Sequence, residues 1–397
     1  MRLRVGIVLL LVVVALGAFN YLRPIPAVAA SPLLPSTDTV PGTAPALPWP
    51  ARGAAAVGVP GLGLVATSGN EQPIPAASVT KVMTALVLLN DRRLNVGDTG
   101  PLLTITQADV DSYENDLRGG QSVARVEVGE QLNELQLLEG MLIPSANNFA
   151  ETAARWTTGS IDQFVAKMND LAKVFNMTHT KFADTSGASP GSVSTPSDLV
   201  RLGIQAMANP VFASIVAMPQ AELPVAGTVY NVDAVLGQSG IVGIKTGSGL
   251  NTGANFLFAS KQSIDNRNVL VVGCVMGQAT LDAAFGASRT LIAAAAPALH
   301  VRRVIAQNQS IALYTTPWGN QAYLVSQVDV DLVEWPGMIL RQHLDAAPLV
   351  VDQPLPAGTK EGTEHVVLGG YDLEIPLVTA DPLYPPGRFW RLTRVSF

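Results

Sequence analysis

The chain is poor in the residues that usually bind metals or cross-link a fold. It has one cysteine in 397 residues, so no internal disulfide is available. That residue, Cys274, lies in the apolar run 269–276 and reads as a small buried hydrophobe in a strand. The four histidines, His179, His300, His343 and His365, are scattered, with no metal-ligand spacing to a cysteine or to one another. No metal and no cofactor is expected. Only 14% of residues are charged and the net charge is −6, which leaves no basic footprint for nucleic acid. Against these scarcities, 48% of the residues are hydrophobic, and the length suggests two domains plus terminal segments. No internal repeat is visible.

In chain order, the first segment is for export. Arg2 and Arg4 precede the uncharged apolar run 5–19. Residues 1–22 read as a signal or membrane anchor, about 27 Å long as a helix at ~1.5 Å per residue. Ala27-Val28-Ala29 offers small residues for cleavage, but Arg23, Pro24 and Pro26 set it at an unusual distance from the apolar run. We read an uncleaved anchor with a cytoplasmic N-terminus. Residues 23–52 are proline-rich, with a single acidic residue, Asp38, and read as a stiff linker rather than a folded element.

Residues 54–67, broken by Pro60-Gly61, read as a β-hairpin. Residues 79–89 are apolar on every side apart from Thr80, Lys81 and Thr84, the pattern of a core helix. Residues 91–129 carry no clear period. Leu135, Leu138 and Leu142 repeat at helical spacing up to Pro144, and a helix restarts at Asn147. Residues 160–175 form an amphipathic helix with Ser160 and Gln163 as a capping box. Thr195-Pro196 opens another helix. Residues 241–245, 255–260 and 268–276 read as successive strands, with a glycine-rich turn at 247–253, and residues 279–296 as an alanine-rich helix ended by Pro297. From about His300 the pattern becomes short alternating runs, a separate all-β domain. No amphipathic C-terminal helix is legible.

A lysine inside an apolar helix is costly unless paired or neutralised. Ser78 lies three residues before Lys81, so both fall on one helix face: a hydroxyl beside an amine whose pKa burial lowers. Alone, Ser78-Val79-Thr80-Lys81 reads as readily as an N-cap serine followed by a snorkelling lysine. Two further strings change that balance: Ser145-Ala146-Asn147 in a tight loop between two helices, and Lys245-Thr246-Gly247 on a strand. Each is common alone, but the three in this order and context are not.

This ordered triple is described for penicillin-binding proteins and class A β-lactamases. The chain resembles the low-molecular-weight penicillin-binding proteins, the serine D-alanyl-D-alanine carboxypeptidase family, over about residues 54–296. Val82-Met83-Thr84-Ala85, Gly140-Met141-Leu142-Ile143 and Ser194-Thr195-Pro196-Ser197-Asp198-Leu199 add to the likeness. The resemblance implies an α+β fold: a β-lactamase/transpeptidase-like domain at 53–298, with an antiparallel sheet flanked by helices and an all-helical subdomain, then a small C-terminal all-β domain at 299–397. It also implies roles. Ser78 is the expected nucleophile, Lys81 the base that takes its proton, and Ser145 the relay to the leaving amine. Asn147 is expected to hold Lys81 with its carbonyl and the substrate amide with its NH2. Lys245 and Thr246 are expected to anchor a terminal carboxylate, and Gly247 to allow close backbone approach. The N–H groups of Ser78 and Ser248 are expected to cradle the oxyanion. The implied partners are peptidoglycan stem peptides ending in D-Ala-D-Ala, β-lactam antibiotics as inhibitors, and the membrane through the N-terminal segment. The chain departs from the family's usual forms at Ala146, where glycine is frequent, and at Asn148-Phe149, where Asp-Ala is common.

Three other readings fit the sequence less well. Gly187-Ala188-Ser189-Pro190-Gly191 fits Gly-x-Ser-x-Gly, but no apolar strand precedes it and no helix follows, so it is not read as a nucleophile elbow. A class A β-lactamase would place a glutamate after the middle motif to activate water, and residues 152–221 contain none. A non-catalytic wall-binding protein would not need Ser78, Lys81 and Lys245 together.

Overall fold

The computed structural model describes residues 2–69, 71–249 and 252–394. The centre of the expected 247–253 turn therefore lies outside the described residues. The chain divides into two compact units, Thr43–His300 on the one hand and Met1–Gly42 with Val301–Phe397 on the other. The helices are α1 (Arg2–Leu22), α2 (Lys81–Asp91), α3 (Gln107–Arg118), α4 (Glu134–Leu142), α5 (Asn147–Thr158), α6 (Ile161–Val174), α7 (Pro196–Ala208), α8 (Pro210–Val216), α9 (Leu281–Ala295) and α10 (Arg388–Thr393).

The Thr43–His300 unit is built on a five-stranded antiparallel sheet in the order Ile241–Gly249, Gly253–Ile264, Arg267–Gln278, Ala54–Val59, Gly63–Thr67. Both faces are covered. Leu257, Ala259, Val272, Cys274 and Met276 join the main core with α2, α4, α5, α6 and α7. Alternate positions face α9, whose Phe285 packs edge-on against Phe256 at 4.9 Å between ring centroids. Two-sided burial is why these strands read as continuous apolar runs rather than as alternation.

Local chemistry sets the helix ends. Asn133 caps α4 by accepting from Gln136 N, and the Gln136 side chain returns to Asn133 N. Thr195 caps α7, with Pro196 in its first turn as expected. The capping box expected at Ser160 is not formed: Ser160 stands at the N-cap of α6 without a side-chain cap hydrogen bond. Its neighbour Gly159 ends α5 in the left-handed conformation (φ 76°), so two residues join the two helices, and the apolar face with Phe164 and Met168 positions α6 instead. Where α4 and α5 cross, a Cβ on Gly140 would lie 2.2 Å from the Phe149 ring, so glycine is required for that approach. In the uncertain stretch 91–129, Leu102–Thr104 pairs with Gln131–Asn133, and α3 is tied to α5 by Arg155 Nη2 donating to Asp109 Oδ1 at 2.9 Å and to Ser112 Oγ at 3.0 Å.

The other unit is a seven-stranded antiparallel sheet in the order Ala30–Pro32, Ser310–Thr315, Gln321–Ser326, Tyr371–Thr379, Lys360–Leu368, Ile339–Asp345, Thr37–Thr39. Its outer strands correct the linker reading of residues 23–52. Residues 30–32 and 37–39 are folded elements, pairing with Tyr314–Ala312 and Arg341–Ile339. Three-residue strands carry too little period to read, and Pro32 is tolerated because it sits on a sheet edge. Val28, inside the candidate cleavage string, is buried and exchanges backbone hydrogen bonds with Leu349. A short C-terminal helix, α10, also forms where none was legible; at six residues it is below the length at which periodicity can be read. Arg394 donates to the carbonyls of Asn20 and Pro24 at the end of α1, and Arg391 to that of Tyr21. Residues 4–22 of α1 are long and apolar enough to cross a membrane, a test that signal sequences also pass.

Candidate active site

Ser78 lies not in α2 but in the 3₁₀ turn Ala77–Thr80 that leads into it. Ala77 is held at φ 49°, a conformation that costs a non-glycine residue free energy and persists only where its surroundings enforce it. Here they do. Asn255 Nδ2 donates to Pro75 O at 3.0 Å and to Ala76 O at 3.1 Å, while its Oδ1 accepts from Gly277 N at 2.9 Å. The sheet thus fixes the entry to the turn. A Cβ on Gly247 would fall 2.8 Å from Ala76 O and 3.1 Å from Ser78 N. Only glycine lets the strand Ile241–Gly249 approach the turn so closely.

Lys81 is fully buried, and its amine sits among three oxygens: Ser78 Oγ at 2.9 Å, Asn147 Oδ1 at 2.6 Å and Ser186 O at 3.1 Å. None is a carboxylate. Burial first, and then the positive charge of Lys245, hold the amine well below the usual lysine range; Asp184 and Asp116 act weakly in the other direction.

Ser145 is buried and held at φ 66°, immediately before Ala146 caps α5. Asn147, the first residue of α5, turns its Oδ1 to Lys81 and donates from Nδ2 to Gln121 Oε1 at 3.3 Å, while its N–H donates to Ser122 O. The loop after α3 therefore borders the site, although no period in residues 91–129 marked it. Lys245 is buried on the strand Ile241–Gly249, near enough for its charge to act on Lys81. Burial brings its pKa down to about 7, with Asp233 partly opposing the shift. Thr246 is buried beside it, and Ser248 is exposed at the strand end.

The three motifs come from segments more than 160 residues apart in sequence, and the fold brings Ser78, Lys81, Asn147 and the strand that carries Lys245 and Gly247 together. The model of the peptidase S11 family, D-alanyl-D-alanine carboxypeptidase, matches residues 62–280, more than half of the chain. The chain belongs to that family. Among curated S11-like relatives it is 36% identical over 189 residues to D-alanyl-D-alanine carboxypeptidase DacB2 of Mycobacterium tuberculosis, covering 45% of this chain and 60% of that protein. It is 32% identical over 147 residues to a D-alanyl-D-alanine endopeptidase of Pseudomonas aeruginosa, covering 37% and 44%. The chain thus spans about half the length of the curated relatives it matches. Penicillin binding protein 5 from Haemophilus influenzae shares the fold, with a TM-score of 0.64 at 18% identity over 87% of this chain and 100% of that one.

Within this S11 chain the Gly-x-Ser-x-Gly string is a loop. Ser189 Oγ accepts from Gly191 N at 3.2 Å, and neither a strand before it nor a helix after it makes an elbow. Sequence reasoning missed Ser186, whose backbone carbonyl reaches Lys81: a carbonyl leaves no trace in residue type. It also missed Asn255 and Gln121, ordinary polar residues whose contacts exist only in three dimensions.

Proposed function

We propose that the chain is a serine DD-peptidase that acts as a carboxypeptidase, removing the terminal D-alanine of peptidoglycan stem peptides through an acyl-enzyme on Ser78. The observation that carries this reading is the Lys81 amine, its pKa lowered by burial and by Lys245, within hydrogen-bond distance of Ser78 Oγ. In this mechanism Ser78 Oγ attacks the carbonyl of the penultimate D-alanine as its proton passes to Lys81 Nζ. The N–H groups of Ser78 and Ser248 receive the oxyanion. Ser145 passes a proton to the departing D-alanine nitrogen, the C–N bond breaks, and an ester on Ser78 remains. Lys245 and Thr246 bind the terminal carboxylate, and the Asn147 Nδ2, now on Gln121, is available to the substrate amide. Water then cleaves the ester. A β-lactam follows the first half of this path and then stalls, since no glutamate lies between 152 and 221 to activate water.

The relatives named as carboxypeptidase and as endopeptidase differ little in identity, so the preference for carboxypeptidase rests on the carboxylate anchor of Lys245 and Thr246. Mass spectrometry of a muropeptide pool separates the two: loss of terminal D-alanine supports the proposal, and cleavage of cross-links alone overturns it. We further infer that α1 is a retained anchor holding the enzyme on the outer side of the cytoplasmic membrane. The Val28–Leu349 pairing and the Arg394 contacts to residues 20–24 favour an uncleaved chain. Labelled penicillin should attach to Ser78. A Ser78→Ala protein that labels equally would sink the mechanism.

A further inference from the structure

The proposed mechanism makes no use of residues 184–192, yet this segment abuts its base. Two of its carbonyls reach α2: Thr185 O accepts from Thr84 Oγ1 at 2.6 Å, and Ser186 O accepts from Lys81 Nζ at 3.1 Å. The segment is folded around one carboxylate. Asp184 Oδ2 accepts from Ser186 Oγ and from Ser189 N, each at 3.1 Å, and its Oδ1 accepts from Ser192 Oγ. Ser192 O in turn accepts from Ala76 N at 2.9 Å, two residues before the nucleophile. Gly187, at φ 79°, presses against the same turn: a Cβ there would lie 1.8 Å from Ala77 O.

These contacts decide what a neutral Lys81 can do. A neutral amine has two N–H donors and one lone pair. Asn147 Oδ1 and Ser186 O can only accept, so together they occupy both donors. The lone pair is left facing Ser78 Oγ, whose O–H must then donate. Without the Ser186 carbonyl the amine is free to donate to Ser78, the wrong polarity for a base.

We propose that Asp184 is a positioning residue for acyl transfer: by folding residues 184–192 it aims the Ser186 carbonyl at Lys81 and so turns the lone pair of the amine to Ser78. The proposal rests on the reading of Lys81 as base. Asp184 acts through the carbonyl, since its own hydrogen bonds go to the hydroxyls and N–H of its segment. The charged groups facing Lys81 are Lys245 from the sheet, Asp116 from α3 and Asp184 itself. The charge of Asp184 favours protonated Lys81 and so opposes the base, whereas its hydrogen bonds support it. Substitution separates the two effects.

The test is the acylation of the full chain by labelled penicillin across pH, with circular dichroism as folding control. Asp184→Ala removes every hydrogen bond of the carboxylate. Its limiting acylation rate should fall about 10–100-fold, the scale of a small misplacement of reacting groups, with the non-covalent binding of penicillin unchanged. Asp184→Asn keeps an acceptor oxygen and removes the charge, so it should lose less rate and move the acid limb of the profile to lower pH. Ser192→Ala should fall between wild type and Asp184→Ala. An Asp184→Ala protein with the wild-type rate and profile overturns the proposal, as does a loss confined to the amount of folded protein. If Asp184→Ala does not fold, an unshifted limb in Asp184→Asn together with a wild-type rate in Ser192→Ala overturns it. Failure of the wild-type chain to label at Ser78 removes the proposed function and this inference with it. A labelled wild type with indifferent Asp184 variants removes the inference alone.

Discussion

Lys81→Arg is the most direct probe of the proposed chemistry. An ordinary lysine titrates near pH ~10.4, but the Lys81 side chain is fully buried and its amine touches no carboxylate. Burial and Lys245 both disfavour its charged form. The sign follows: as pH rises through this lowered pKa, Lys81 loses its proton and acylation should increase. Arginine is similar in length but stays protonated in proteins, so it has no lone pair to offer Ser78. Loss of a general base typically costs ~10²–10⁴-fold in rate, and that is the expected drop in acylation by penicillin. A buried guanidinium without a carboxylate partner also destabilises, by several kcal/mol as an order of magnitude, so folding must be checked by circular dichroism. Lys81→Met is the companion variant: it fills similar space without charge, should melt no lower than wild type, and should be equally inactive. If folded Lys81→Arg acylates within a few-fold of wild type, Lys81 is not the base.

Lys245 should govern the opposite limb of the pH profile. Its pKa is brought down to about 7, so its positive charge, and with it the grip on a substrate carboxylate, fades as pH rises through that value. Lys245→Arg should therefore move the alkaline limb of kcat/KM upward, since guanidinium does not titrate there; an unmoved limb would assign it to another group. In the core, Phe149 is 1% exposed and packs against Gly140 at the crossing of α4 and α5. Phe149→Ala should destabilise the Thr43–His300 unit by about 3–5 kcal/mol, read by urea unfolding, and a loss below about 1 kcal/mol would mean that the crossing collapses to fill the space.

Much of the Thr43–His300 unit was legible in the order of residues. The apolar run 79–89, the leucine repeat before Pro144, the Thr195-Pro196 cap and the three strands from 241 onward all follow from periods and caps that act over a few residues. The three short motifs named the candidate residues for a related reason: Ser78 and Lys81 are coupled by helical geometry, and Ser145 with Asn147 by a helix start. What the tertiary structure decided is everything that depends on partners distant in sequence. The strands at 30–32 and 37–39 exist because sheet edges more than 270 residues away accept them. The capping box at Ser160 had the right residues and did not form. Above all, the direction of the Lys81 lone pair is set by an Asn147 side chain and a Ser186 carbonyl that lie 66 and 105 residues away. Local sequence determines which groups a segment carries, but one acceptor of this buried amine is a backbone oxygen common to every residue, and only packing determines which one arrives.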